Sequence, residues 1–264
     1  MIVSNKRAND YLISLLRNLK IFNNDLESVI LFGSHARADA TILSDVDVLI
    51  VLKQRNKIVI NRIIKMMRYL ETQYSYSRKP TNKLELFLNY INIATGMFRS
   101  WFICTKQDLI NQNFSKITGT NKIIGKIFVP SKLILLNIKR EGKVIFGNPN
   151  ILKKITQPKK IEKQVIRSFF LNEIIAICAL FITPFTKKSI FYSIESIKWS
   201  YFLINGSKVT ESILAENLKR NYDLYKKIKS SGNFNSILCI KAPVLVLKLH
   251  LLAFHKLEKI KTHK

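Results

Sequence analysis

Acidic residues are scarce in this chain of 264 residues: 17 Asp and Glu stand against 44 Lys and Arg, a formal net charge of +27. Such an excess points to a polyanionic or phosphate-rich partner, or to a lysine-rich proteome. Glycine and proline are also few, 8 and 6 residues, which excludes collagen-like and low-complexity classes. The three cysteines, Cys104, Cys178 and Cys239, lie far apart and match neither a disulfide framework nor CxxC metal spacing. A reducing, cytoplasmic setting is the expectation from that pattern. No long uncharged apolar run is present. Ile174–Thr183 is too short to span a bilayer, and Ala242–Phe254 is interrupted by Pro243, Lys248 and His250, so both are expected to be buried helices rather than membrane segments. The apolar stretch near the start is broken by Arg17 and lacks a small-residue cleavage site, unlike a signal peptide. A GxxxxGK[S/T] loop is missing too, which excludes a P-loop NTPase.

What is present is an ordinary globular mixture, 47% hydrophobic and 23% charged, with length for a real core and for one or two domains. The basic charge is spread evenly: residues 1–150 and 151–264 carry net charges of +13 and +14. The texture changes near residue 150. Before it, helical spacing over Lys6–Phe22 and Ile58–Tyr69 alternates with short β-like runs at Ser28–Phe32, Asp45–Leu52, Leu84–Leu88 and Lys143–Phe146. Such alternation predicts an α/β layer arrangement. After it, four helical segments are expected, at about 160–182, 187–204, 210–230 and 237–261, with Pro184, Gly206 and Gly232 at the junctions. Domains of 1–150 and 151–264 follow, the second an all-α helical bundle.

The most informative stretch runs from Leu31 to Leu52. An apolar run ends at Gly33-Ser34, where glycine lets a ligand approach the backbone and where amides and the Ser34 hydroxyl can donate to phosphate oxygens. Asp45 and Asp47 then open a strand and share one of its faces, while Val46, Val48, Ile50 and Leu52 take the other. Two carboxylates side by side repel unless a cation lies between them, and oxygen-only ligands suit Mg²⁺ or Mn²⁺. Glu85 is a third carboxylate, placed inside the apolar run Leu84–Leu88, where it is costly unless paired or metal-bound. If that run neighbours Asp45–Leu52, three carboxylates converge as a ligand set for two-metal phosphoryl transfer. Glu71 and Asp108 are rival third carboxylates, each read as an ordinary solvated charge.

These residues resemble the DNA polymerase β superfamily of nucleotidyltransferases, in its minimal nucleotidyltransferase branch. The pattern is Gly33-Ser34-His35-Ala36-Arg37 followed by Ser44-Asp45-Val46-Asp47, with Ala38 where such proteins often carry glycine. The resemblance covers about residues 1–147 and includes Arg140–Gly147 as a closing segment. It implies a mixed sheet with flanking helices, an α+β fold, ahead of the helical bundle. It also implies transfer of a nucleoside monophosphate from an NTP, ATP foremost, to an acceptor hydroxyl on a small molecule, protein or RNA end, with release of pyrophosphate. Asp45, Asp47 and Glu85 would be the catalytic metal ligands for Mg²⁺ or Mn²⁺. Gly33, Ser34, Arg37 and Ser44 would bind nucleotide phosphates, with Arg37 either touching a triphosphate oxygen or bracing the loop. The alternative is a nucleotide- or nucleic-acid-binding protein that keeps the fold without catalysis. The helical half resembles, in architecture alone, the C-terminal domains of aminoglycoside nucleotidyltransferases. It lacks the Arg-to-His spacing of an active HEPN ribonuclease.

Other features read more plainly. His35 lies in the phosphate loop without an assigned catalytic role. His250 and His255 are five residues apart, which does not stack them as a metal pair, so each is a core or surface histidine. Trp199, Tyr201 and Phe202 read as core aromatics. The Lys219–Lys229 stretch is a solvated helix face and the best candidate for a polyanion contact.

Overall fold

The structure, a computed structural model, describes residues 2–38, 40, 44–76, 86, 100–119, 129–156, 161–182, 196 and 240–251. The chain divides into two compact units, Met1–Lys126 with Ile134–Gln157, and Ile127–Leu133 with Pro158–Lys264. The first unit extends past residue 150 because Ile151 and Ile155, on either side of a 3-10 turn, are fully buried in its core.

Helix α1, Lys6–Leu19, begins at Asn5, whose side chain accepts the Ala8 amide and satisfies a donor the helix cannot. Its buried stripe is Ala8, Tyr11, Leu12, Leu15 and Leu19, the spacing that one face of a helix requires. Strand β1, Leu26–Phe32, runs into the short helix α2, Gly33–Arg37. Strand β2, Asp47–Leu52, starts two residues later than the sequence spacing predicts. Helix α3, Lys57–Gln73, is capped by Asn56 and buries Val59, Ile63, Met67 and Leu70. Strand β3, Trp101–Thr105, follows and passes directly into helix α4, Lys106–Ile110. Helices α5, Phe114–Thr118, and α6, Ser131–Glu141, then lead to strand β4, Lys143–Gly147.

The four strands form one mixed sheet in the order β3-β2-β1-β4. Strand β1 pairs antiparallel with β2 and β4, whereas β2 and β3 are parallel. A parallel pair needs a crossover, and α3 lies within it. Side chains alternate across β2. Val48, Ile50 and Leu52 pack against α1 and α3, while Leu49 and Val51 join Leu109, Ile117, Leu135 and Ile138 on the opposite side. Burial on both faces explains why β1 and β2 read as almost unbroken apolar runs.

The strand expected over residues 84–88 does not appear at its one described residue, Leu86, which is helical and 63% exposed. The place beside β2 belongs to Trp101–Thr105 instead, an aromatic and β-branched run that fits a half-buried sheet surface.

In the second unit, helix α7 covers Ile161–Ile182, close to the expected bounds, and residues 240–251 form a further helix, α8. The expected segments at 187–204 and 210–230 lie outside the described residues, apart from Ser196, which is helical. The apolar stretches are less buried than the sequence suggests. Ala176, Ala179, Ala242, Val246 and Leu249 are buried, but Ile174, Ile177, Phe181, Val244, Leu247 and Leu251 are exposed. Among the described residues, Lys163–Phe181 is long and apolar enough to cross a bilayer by length and composition. Counting from Ile174 alone makes it too short, because the helix continues unbroken through the polar residues that precede it.

Those polar residues form a buried network. Nδ1 of His250 bonds the Val246 carbonyl at 2.8 Å, so Nδ1 carries the proton and Nε2 is left to accept from the Ser168 hydroxyl at 3.2 Å. Asn172 donates to the Ser168 hydroxyl and carbonyl. Of the two readings the sequence left open, core or surface, His250 is thus a core histidine, and burial pushes it down to about 4. A neutral native imidazole with an ordinary value near 6.5 when unfolded makes the unfolded chain the better proton binder below that pH. Stability should therefore fall as pH drops from about 6.5 toward 4, at up to about 1.4 kcal/mol per pH unit. Burial of Glu173, which raises its carboxyl, acts in the opposite direction. Urea unfolding at pH 7 and pH 5 of wild type and His250→Gln isolates the histidine, because the variant keeps Glu173. An unchanged pH difference in the variant would exclude this role.

Candidate active site

The site is built where β1 ends and β2 begins. Phe32 and Asp47 are register partners across that pair. Gly33 follows with φ +70°, a region costly for residues with a side chain. Its lack of a side chain serves a close approach. A Cβ there would lie 2.1 Å from Oδ2 of Asp47 and 2.9 Å from its Cγ. The Asp47 carboxylate therefore rests over the bare Cα of Gly33, at the first turn of α2. This contact joins the two halves of the sequence motif, which lie 14 residues apart in the chain.

Helix α2 closes with Ala38 at φ +62°, where its amide returns to the carbonyls of Ser34 and His35. That left-handed position is where glycine is favoured, so Ala38 accepts a strain of about 1 kcal/mol. Ser34 and His35 are buried, which turns His35 inward. Asp45 is exposed, Asp47 and Ser44 are half-buried, and the fully buried Val46 separates the two aspartates, as an extended chain requires. Gly33, Ser34, Ser44, Asp45 and Asp47 thus lie together around one end of the sheet. Glu85 lies outside the described residues.

Arg37 braces its loop. Its Nη1 donates to Oε2 of Glu141 at 2.8 Å, both side chains being largely buried, and Arg140 also pairs with Glu141. Glu141 ends α6 just ahead of β4, so this ion pair ties α2 to the segment that leads into β4.

The rival carboxylates are not ordinary solvated charges. Asp108 is buried and completes a capping box with Thr105 at the start of α4, while Arg55 donates to its Oδ2 at 2.8 Å. Burial alone would raise its carboxyl, but the bonds from Arg55 and Thr105 outweigh that and hold it below the usual range. Asp108 therefore anchors β3 and α4. Glu71 is half-buried within α3, and its Oε1 accepts the Ser100 hydroxyl at 2.6 Å. The signal was present in the spacing: Ile63, Met67, Leu70 and Glu71 recur as one helical stripe.

Beside this end stands a tyrosine cluster. Tyr11 is buried and meets the rings of Tyr74 and Tyr76 edge-on, with centroids 5.7 and 5.2 Å away. Arg7 lies over the Tyr76 ring at 4.1 Å. Burial raises the Tyr11 phenol above its ordinary value, and the charges of Glu71 and Asp47 add to the rise. Burial also raises Tyr76, with Asp45 contributing in the same direction.

The donor set fits Mg²⁺ or Mn²⁺. Asp45 and Asp47 offer carboxylate oxygens, and hydroxyls of Ser34 and Ser44 lie in the same motif, with no sulfur or imidazole required. Among the described residues no three His, Cys, Asp or Glu side chains cluster as a metal centre would.

Among solved structures, the chain is similar to spectinomycin adenyltransferase AAD(9) from Enterococcus faecialis, a structure with ATP and spectinomycin, at 14% identity and a TM-score of 0.49, over 93% of this chain and 98% of that one. No curated protein matches it. Residues 13–111 match the family model described as the nucleotidyltransferase domain, a span that holds Gly33, Ser34, Asp45 and Asp47. That matched span, 13–111, also takes in strands β1, β2 and β3 of the mixed sheet and the Gly33–Asp47 contact.

Proposed function

We propose that this protein transfers a nucleoside monophosphate from an NTP to an acceptor hydroxyl and releases pyrophosphate, with a divalent cation required. The observation that carries the reading is the Asp47 carboxylate seated on Gly33, which unites the phosphate-binding turn with the cation ligands. The bare Gly33 backbone lets the β- and γ-phosphates approach, and the Ser34 hydroxyl donates to them. Asp45 and Asp47 would hold Mg²⁺ or Mn²⁺, which neutralises charge on the triphosphate when bound. Glu85 is assigned the acceptor side, where it takes the proton as the acceptor oxygen bonds the α-phosphorus and the pyrophosphate oxygen departs. Arg37, committed to Glu141, holds the turn in shape. The net charge of +27 favours a nucleic acid as acceptor over a small molecule, and the sparse cysteines suit action in the cytoplasm.

The test uses α-labelled NTPs, ATP first, with Mg²⁺ or Mn²⁺, alone and with cellular RNA. Metal-dependent transfer of label to an acceptor, with pyrophosphate released in equal amount, is expected. Label in RNA that disappears as salt rises from 50 to 200 mM supports the nucleic-acid acceptor. Nucleotide binding without turnover of any NTP, with every acceptor offered, would leave a binding domain and overturn the proposal.

A further inference from the structure

Glu71 is a half-buried carboxylate that the mechanism above does not use. Its Oε1 accepts the Ser100 hydroxyl at 2.6 Å. The Ser100 carbonyl in turn accepts the Val48 amide at 2.8 Å. Val48 is the residue after Asp47, and it pairs with Trp101, the first residue of β3. A continuous set of hydrogen bonds therefore runs from the α3 side chain, through the residue that starts β3, to the backbone beside Asp47. Among the described residues, the bond between Ser100 and Val48 is the outermost rung joining β2 to β3 at the site end of the sheet. Rungs at a strand end fray most easily, and a hydroxyl–carboxylate bond is stronger than a neutral one. Tyr11 stands at the same end, close enough to feel the charges of both Glu71 and Asp47.

We propose that Glu71 is a positioning residue of the nucleotidyl-transfer site: by fixing Ser100 it locks the start of β3 to β2 and holds Asp47 in its seat on Gly33. The inference rests on the function proposed above and adds to it a residue that touches neither nucleotide nor cation. Removing it leaves Asp47 in the chain but loosens the backbone that aims it. A misplacement of about 1 Å is enough to slow a reaction that depends on aligned groups. The phosphate turn at Gly33 and Ser34 belongs to β1 and α2, so kcat is expected to fall more than NTP affinity.

The test compares Glu71→Ala, Glu71→Gln, Ser100→Ala and the Glu71→Ala/Ser100→Ala double variant, with Asp47→Asn as control. Two readouts are taken on the full chain: kcat and KM for the NTP, and the rise in Tm that Mn²⁺ produces over each variant's own metal-free value. Glu71→Ala and Ser100→Ala should each lower kcat on the order of 10- to 100-fold with KM near wild type. The double variant should be no slower than either single one, because both remove one bond. Glu71→Gln, whose amide oxygen can accept from Ser100, should recover most of the loss. The Mn²⁺-induced rise in Tm should shrink in both alanine variants. Multiplying losses in the double variant, an effect on KM alone, or a full Mn²⁺ response in Glu71→Ala would overturn the positioning role. If Asp47→Asn also keeps the full Mn²⁺ response, the cation site itself is misplaced, which separates failure of the underlying reading from failure of this inference.

Discussion

Asp47→Asn should abolish nucleotidyl transfer while leaving the protein folded. The amide is nearly isosteric with the carboxylate, so its seat over Gly33 and the pairing of Asp47 with Phe32 are kept. What is lost is the negative charge that holds a divalent cation. Removal of such a ligand costs several kcal/mol of transition-state stabilisation, on the order of 10³-fold or more in rate. Far-UV circular dichroism and the unfolding midpoint should stay close to wild type, which separates lost chemistry from lost structure. Wild-type turnover with ordinary metal dependence in this variant would remove Asp47 from the site.

Gly33→Ala should have an effect nearly as large, for a different reason. Its Cβ would be built 2.1 Å from Oδ2 of Asp47, far inside any allowed contact, and the residue would carry φ +70°. The carboxylate must move or the turn must open. Strain of this kind costs about 1–3 kcal/mol of stability. The displaced carboxylate should lower kcat/KM by about 10² or more. Steady-state kinetics and thermal unfolding of the one variant read both effects. Serine or alanine at position 33 with unchanged activity would mean that the closeness of Gly33 and Asp47 has no functional weight.

These two substitutions also mark where sequence and structure divide. The turn at Gly33 and strands β1, β2 and β4 were legible because each rests on local chemistry. Glycine before serine ends an apolar run, acidic residues alternate with valines, and apolar residues recur at helical or strand spacing. The domain family model over residues 13–111 confirms the kind of domain that those residues indicate. Strand β3 was not legible although Trp101–Thr105 has strand-like composition, because the apolar run at 84–88 has a similar composition and local pattern does not choose between two such runs. Leu86 is helical and exposed there, so local hydrophobicity did not reveal strand order. The same limit applied to Arg37, whose ion pair with Glu141, 104 positions away, no spacing along the chain records.

By itself the sequence determined the class of domain matched over residues 13–111 and the helical character of the second half. Its short-range patterns follow directly from backbone geometry, so they survive without any knowledge of distant neighbours. Only the tertiary structure decided that Asp47 sits on Gly33, that Trp101–Thr105 lies beside β2, that Asp108 anchors a helix start, and that Glu71 reaches Ser100. Each of these depends on which strand or helix end meets which. That choice is made by burial of both sheet faces and by pairing of polar groups across long chain separations, and spacing along the chain does not record it.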